Sequence, residues 1–392
     1  MENTIYDKIC NDLRNRYNIK PDESIALIHC FNPSHEIALA ANVPNFMPKG
    51  NVQAMERQLW NVPFLYMNKN DIILNHHERQ LIDIDKKIVD GKPHNTKLIP
   101  FPWGWNLEVR QRFLKAGIKE ELMPNVKEIN QLRNLASRQF AAEYIKRIFD
   151  DNSWKKIKKH IVGQHMTFAN DLQQVEWKGD RMIFKMPWSS SGRGICVATK
   201  EDESATEKVK GMIRSQGGIL ADVFYVKVLD FAAEFYVGFD RTVDFIGFSV
   251  FQTISKGNYA GNVVDSQEEL RMMIADVMHD DSLIDEVVDA HIDTLKSSLA
   301  GKYQGFVGID MMAVNTKDGI MIHPCVEINL RLNMGIVAME AYRRPFFFDL
   351  EEDSGSEEGA VRRSSILEPS EARRERGFHI GLRSRNISIW YS

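Results

Sequence analysis

Two short, mostly apolar runs in the last third of the chain have the length and composition of β-strands. They cover residues 306–314 and 320–328, and successive side chains of a strand point to opposite faces. The segment between them, 315–319, ends in Asp-Gly, a dipeptide typical of tight hairpin turns. The pattern therefore predicts a β-hairpin, and both of its strands carry an acidic residue within apolar surroundings.

Short apolar runs alternate with amphipathic segments over the first 124 residues. The pattern predicts helices at 1–20, 52–60 and 106–116 and strands at 25–31, 64–67 and 97–101. Such alternation is typical of a small α/β layer with a parallel sheet. No Gly-rich dinucleotide fingerprint follows the first strand, so an NAD site is not expected.

Two segments, 31–36 (FNPSHE) and 101–105 (FPWGW), come directly after predicted strands of this layer. Ligands of α/β sheets bind at the carboxyl ends of the strands, so either segment could line a substrate pocket. For Trp103 and Trp105, packing at a seam between domains is the alternative interpretation.

The remainder of the chain mixes helical and strand periodicity. Helices are predicted at 126–135, 138–149, 201–215, about 266–278 and 283–299, strands at 182–185, 195–198, 218–226, 231–239 and 243–251, a turn at 227–230 and a polar loop at 256–262. Ser137 is a candidate cap for the second of these helices. His291, on the apolar stripe of the last helix, is expected to be a core residue.

A lysine and a loop of small residues follow one another in the middle of the chain. Lys185 ends a predicted strand, and residues 189–194 read Ser-Ser-Ser-Gly-Arg-Gly. Backbone N–H groups of such a loop could cradle phosphates, and Lys185 could reach a phosphate or a purine nitrogen. Strands flank the loop, so it is not the strand–loop–helix Walker pattern, and a simple turn is the alternative.

Composition and charge narrow the class of protein. The chain has 392 residues, enough for two or three domains, and its net charge of −4 argues against nucleic acid as a partner. No membrane span or signal peptide is expected. Four scattered cysteines without CxxC spacing fit reduced thiols, so a cytoplasmic location is expected. Residues 351–376 are poor in apolar side chains, which predicts a loosely ordered tail.

Oxygen-bearing side chains gather on the predicted hairpin. Glu327, Asn329 and Arg331 alternate along the second strand and should share one face, and Asp310 lies within the first. Two carboxylates and an amide oxygen form a hard ligand set suited to Mg²⁺, and Arg331 could bind a phosphate oxygen. A solvated polar face with surface ion pairs is the alternative.

The order of these parts resembles the ATP-grasp superfamily. The match runs over residues 126–343, from the capped helix through Lys185 and the Ser/Gly loop to Asp310, Glu327 and Asn329, followed by Gly335. The resemblance implies an α/β and α+β fold, with a pre-ATP-grasp α/β domain at 1–124, a two-lobed ATP-grasp domain at 125–345 and a low-complexity tail with a strand-like end at 346–392.

The resemblance also implies roles for individual residues. Lys185 would contact adenine and the α-phosphate, Arg138 stands where several ATP-grasp enzymes place a phosphate-binding lysine, and Arg331 would face the γ-phosphate or an acyl-phosphate. Lys185 and Arg331 would thus be the catalytic residues. The remaining expected contacts are the loop over the phosphates (Ser189, Ser190, Ser191, Gly192 and Gly194), the adenine hinge (Asp222, Val223 and Phe224) and the metal ligands (Asp310, Glu327 and Asn329).

Members of this superfamily typically activate a carboxylate as an acyl-phosphate that an amine or thiol then attacks. The resemblance therefore implies an ATP-dependent ligase acting on small-molecule carboxylate and amine or thiol substrates. Its cofactors would be ATP and one or two Mg²⁺ ions, with Mn²⁺ as a substitute. A kinase of the same fold and a nucleotide-binding module without chemistry remain as alternatives.

Overall fold

The structure is a computed structural model. It describes residues 5–75, 77, 80–83, 87, 89, 96–189, 194–254, 258–343, 378–383 and 386–391. Within these ranges the strands form three sheets, of four, seven and four strands. An α/β layer combined with two antiparallel units confirms the predicted fold class. None of the described helices is long and apolar enough to cross a membrane.

An α/β layer opens the chain, as the apolar pattern predicted, and its sheet is parallel except for one antiparallel edge strand. Its elements are α1 (Ile5–Arg16), β1 (Ser24–Cys30), α2 (His35–Ala41), α3 (Gly50–Gln58), β2 (Ile72–Asn75), β3 (Gln80–Ile82), β4 (Thr96–Pro102) and α4 (Leu107–Lys115). The strand order is β3-β2-β1-β4, and β1 runs parallel to both of its neighbours. The prediction of a strand at 64–67 is wrong. A 3₁₀ turn, Val62–Leu65, occupies that place, because Pro63 near its start fixes a helical φ and donates no N–H.

Two helices and a small antiparallel sheet follow. The elements are α5 (Val126–Leu135), α6 (Arg138–Asp150), β5 (Thr167–Ala169), β6 (Met182–Lys185), β7 (Ile195–Ala198), α7 (Glu203–Gln216) and β8 (Ile219–Val223). The strand order is β5-β8-β6-β7, and Lys185 pairs with Ile195 next to the Ser/Gly loop. The predicted cap is confirmed, because the Ser137 side chain accepts a hydrogen bond from the backbone N–H of Gln139.

A seven-stranded antiparallel sheet forms the second unit. Its elements are β9 (Val226–Val237), β10 (Val243–Ile254), β11 (Asn258–Val263), α8 (Gln267–Met278), α9 (Asp281–Leu299), β12 (Gly305–Thr316), β13 (Gly319–Asn329), α10 (Met334–Arg343), β14 (Phe378–Arg383) and β15 (Asn386–Tyr391). The strand order is β13-β12-β9-β10-β11-β14-β15. The turn predicted at 227–230 is wrong, because β9 already begins at Val226. The predicted loop at 256–262 is a strand from Asn258 onwards, since that segment pairs with β10.

Two large apolar cores hold these layers together. One lies between the seven-stranded sheet and helices α6, α8 and α9. The buried His291 packs against Tyr144 and Trp154 of this core, as expected, and burial lowers its pKa to about 3. The other joins apolar residues of α1, β1 and the segment after β4 to α10. The division predicted at residue 124 falls between α4 and α5, and this second core includes residues from both sides of it.

Candidate functional site

The hairpin of β12 and β13 brings the predicted metal ligands together. Asp310 lies directly opposite Glu327 in the strand register, and Asn329 Nδ2 donates a hydrogen bond to Asp310 Oδ1 at 3.1 Å. Burial raises the pKa of Asp310 well above its usual value, and the carboxylates of Glu327 and Glu234 raise it further. Two acidic side chains therefore lie side by side at this site, and a bound cation would favour the ionised form of both.

Arg138 reaches this hairpin from the first turn of α6. It is nearly fully buried, with 4% of its surface exposed. Its Nη2 atom lies 2.7 Å from Glu327 Oε1 and also donates to the carbonyl oxygen of Ser189 at 3.0 Å. Its Nη1 atom donates to Ser189 Oγ at 2.6 Å and to the Met186 carbonyl oxygen at 2.7 Å. The Arg138 guanidinium thus links Glu327 on β13 to Ser189, the first residue of the Ser/Gly loop.

Lys185 lies at the end of β6 and is buried in the same cluster. Burial lowers the pKa of Lys185, and the positive charge of Arg138 lowers it further, while Glu327, Asp222 and Asp310 act in the opposite direction. The charges of four predicted site residues therefore act on one another, although the residues come from separate segments of the chain: Arg138, Lys185, Asp310 and Glu327.

The Ser/Gly loop is described only at its two ends. Ser189 is buried against Arg138, and Gly194 closes the other end by accepting a hydrogen bond from Met186 N at 2.9 Å. Gly194 has a φ of +66°, and an added Cβ would lie 2.8 Å from Met186 Sδ, so this position requires glycine. The other expected loop contacts, Ser190, Ser191 and Gly192, lie outside the described residues.

The expected adenine hinge is already hydrogen-bonded within the protein. Asp222 Oδ2 lies 2.8 Å from His323 Nε2, and Asp222 Oδ1 accepts from the N–H of Val223 at 2.8 Å. The N–H of Phe224 donates to the carbonyl of Arg181 at 3.1 Å. A nucleobase at this hinge would need other backbone groups of the segment, such as its carbonyl oxygens. Sequence reasoning missed His323, because it comes from β13, about a hundred residues away.

Arg331 contacts both the N-terminal α/β layer and Asn329 of β13. Its Nη2 donates to Asn329 Oδ1 at 3.0 Å, its Nε pairs with the carboxylate of Glu36, and its guanidinium lies 5.9 Å from a Trp103 ring centroid. Burial alone would raise the pKa of Glu36, but Arg331 and His35 lower it below its usual value. Both segments expected to line a pocket, 31–36 and 101–105, thus contribute a residue beside Arg331.

Glu234 on β9 is a buried acid that sequence reasoning did not single out. Its carboxylate accepts hydrogen bonds from Ser249 Oγ at 2.9 Å and from Asn333 Nδ2 at 2.6 Å. Burial raises the pKa of Glu234 to about 7, although these hydrogen bonds and Arg331 act against it. The available signal was a lone acid within the apolar run FAAEFYV, the same signal that identified Asp310.

The donor set fits a hard divalent cation rather than a soft one. No cluster of three or more His, Cys, Asp and Glu side chains among the described residues is arranged as a metal site. Two carboxylates and one amide oxygen nevertheless suit Mg²⁺, which keeps several waters and substrate phosphates in its coordination shell. The carboxylates of Asp310 and Glu327, neighbours across the two strands, are the observation that supports this fit.

Comparison with known proteins gives structural matches only. No protein-family model matches the sequence, and no curated protein matches it significantly. N5-carboxyaminoimidazole synthetase from Staphylococcus aureus, solved with ADP, is 10% identical with a TM-score of 0.40, covering 82% of this chain and 79% of that chain. D-alanyl-alanine synthetase A from Vibrio cholerae is 10% identical with a TM-score of 0.40, covering 82% of this chain and 92% of that chain.

Biotin carboxylase from Campylobacter jejuni is a third match, 14% identical with a TM-score of 0.41, covering 81% of this chain and 67% of that chain. These three proteins are ATP-grasp enzymes, the superfamily that the sequence resembles.

Proposed function

We propose that this chain is an ATP-dependent ligase of the ATP-grasp type, which activates a small-molecule carboxylate as an acyl-phosphate for attack by an amine or thiol. The observation that carries the proposal is a cluster in which two buried cations, Arg138 and Lys185, lie close to the carboxylates of Asp310 and Glu327. The four residues come from α6, β6, β12 and β13, and the sequence predicts each of them at a nucleotide or metal site.

The cations of the cluster suit a polyphosphate. Phosphoryl transfer depends on positioning and on neutralising the charge of the migrating group, more than on a protein nucleophile. Lys185 provides a point charge at the end of its strand, and Arg138 provides a planar guanidinium that can bind two phosphate oxygens. Arg331, at the far end of the hairpin, would stabilise charge on the γ-phosphate or the acyl-phosphate.

Asp310, Glu327 and Asn329 would hold Mg²⁺ or Mn²⁺. When bound, such an ion would neutralise part of the charge on the phosphates. The two carboxylates orient the site, because each is fixed by its strand and by a hydrogen bond or ion pair with a neighbour. The Ser/Gly loop, whose base is Ser189, would close over the phosphates and exclude water from a hydrolysable intermediate.

The substrates would bind between the hairpin and the N-terminal layer. Arg331, Glu36 and Trp103 meet there, and Leu332 N donates to the carbonyl oxygen of Trp103 at 3.0 Å. The substrates would then lie beyond the phosphate-binding cluster, at the carboxyl ends of β1 and β4, where α/β layers bind ligands.

The test is an ATPase screen against pooled small carboxylates and amines or thiols, with mass detection of joined products. Formation of ADP, free phosphate and a joined product would support the ligase. A stable phosphorylated product would identify a kinase, and nucleotide binding without any ATP consumption across the pools would identify a binding module. The matched control is Glu327→Gln, which keeps the shape of the side chain and removes its charge.

A further inference from the structure

Each oxygen-bearing side chain proposed to bind the metal is engaged by a donor of the protein itself. Arg138 Nη2 lies 2.7 Å from Glu327 Oε1, and Asn329 Nδ2 donates to Asp310 Oδ1 at 3.1 Å. Asn329 Oδ1 in turn accepts a hydrogen bond from Arg331 Nη2 at 3.0 Å. The amide of Asn329 therefore presents its nitrogen, and not its oxygen, to the carboxylate beside it.

Several contacts besides the ion pair hold the Arg138 guanidinium beside Glu327. Its guanidinium is buried, and three further hydrogen bonds fix it to Ser189 and Met186. Its Nε atom is buried without a hydrogen-bond partner in the described part of the chain. If a divalent ion took Glu327 away, the buried guanidinium would lose its only carboxylate partner in the described residues, and an unpaired buried charge is strongly unfavourable.

A nucleotide changes this balance, because phosphate oxygens can replace the carboxylate on the guanidinium. We propose that Arg138 is an internal counter-ion of Glu327 that suppresses divalent metal binding until a nucleotide phosphate takes over the guanidinium. The inference rests on the proposed function for the identity of the displacing ligand. Nucleotide would then bind before, or together with, the metal, and the empty site would not bind a metal ion unproductively.

The test is a titration of the full chain with Mn²⁺ in the absence of nucleotide, with free Mn²⁺ measured by electron paramagnetic resonance. Arg138→Gln removes the charge and should bind Mn²⁺ at least about tenfold more tightly than wild type, because a unit charge in contact with a carboxylate acts strongly even at an effective dielectric constant of about 20. The double variant Arg138→Gln/Glu327→Gln should lose this gain. Circular dichroism checks that the variants are folded.

Lys185→Gln is the matched control. It removes one positive charge from the same cluster, where the charge of Lys185 acts on Glu327 and Asp310 from a distance. We expect a smaller gain in Mn²⁺ affinity than for Arg138→Gln. An equal gain would mean that the total positive charge of the cluster limits metal binding. It would contradict the proposal that the Arg138–Glu327 contact does so.

Two further results separate this inference from the proposed function. Wild type that binds Mn²⁺ equally well with and without ATP would overturn the inference, while nucleotide binding measured by calorimetry tests the function independently. If Arg138→Gln is unfolded, Arg138→Lys keeps a charge with fewer hydrogen bonds and a different reach. It should still bind Mn²⁺ more tightly than wild type, and an unchanged affinity would count against the counter-ion.

Discussion

Replacing the buried acid Glu234 with Gln should make the stability of the protein less dependent on pH. Burial raises the pKa of Glu234 from 4.5 to about 7 in the folded protein. Below about pH 4.5 the carboxyl is neutral in both the folded and the unfolded state. As the pH rises from there to about 7, the unfolded chain releases this proton more readily than the folded chain does, so stability is lost. Above about pH 7 the loss is complete.

The size of the effect follows from the two pKa values. A difference of one between them corresponds to about 1.4 kcal/mol, so the separation of 4.5 and about 7 amounts to about 3 kcal/mol at pH 8. At pH 5 the same group destabilises the fold by less than about 1 kcal/mol. Between pH 5 and pH 8 the titration of Glu234 should therefore lower the unfolding free energy of wild type by about 2 to 3 kcal/mol. The Glu234→Gln variant lacks this contribution.

The measurement is urea unfolding of both proteins at pH 5 and at pH 8, followed by circular dichroism and tryptophan fluorescence. Any loss of hydrogen bonding to Ser249 or Asn333 in the variant is present at both pH values, so it drops out of the comparison. Glu286→Gln, on the exposed face of α9, removes the same charge without burial and should show no such difference. A wild-type-to-variant difference that stays constant within about 0.5 kcal/mol would refute the reasoning.

Three other substitutions give direct expectations. Glu327→Gln should lower turnover by a factor on the order of 10²–10³ with the fold intact, because a preorganised charge is lost; an unaltered rate and Mg²⁺ dependence in an ADP-release assay would contradict the metal assignment. Lys185→Ala should weaken ATP binding in calorimetry, since Ala supplies no charge to the phosphates, and equal affinities would count against its role. Gly335→Ala should destabilise the fold by about 1 to 3 kcal/mol in thermal unfolding, because its Cβ would overlap Glu234 Oε1 and Ser249 Oγ; an unchanged melting temperature would show that these side chains move aside.

The hairpin, and the proximity of Asp310, Glu327 and Asn329 on it, could be predicted because the information is local. Alternation along two strands and an Asp-Gly turn fix which residues face each other, and Asp310 indeed lies opposite Glu327. The parallel layer was predictable for the same reason. The residues 64–67 were misassigned because their composition favours a strand, whereas Pro63 and the neighbouring turn decide the local conformation.

The partners of the site residues could not be predicted in the same way. Glu36 and Arg331 are 295 positions apart in the chain, and Arg138 and Glu327 are 189 positions apart. Nothing in the spacing of residues within one strand indicates which distant carboxylate or guanidinium will meet it. Such pairs depend on how the layers pack, which the periodicity of a single chain segment does not determine.

The apolar core that joins the N-terminal layer to α10 limits how the chain can be divided. Val337 and Ala341 of α10 are fully buried. They share this core with Phe31, which directly follows β1, and with Trp103, which follows β4. Cutting the chain after residue 124 would leave an apolar face of α10 in water, directly after the strand that carries Glu327 and Asn329. The first layer therefore cannot be exchanged alone. A chimera that replaces it must also supply an apolar surface complementary to α10.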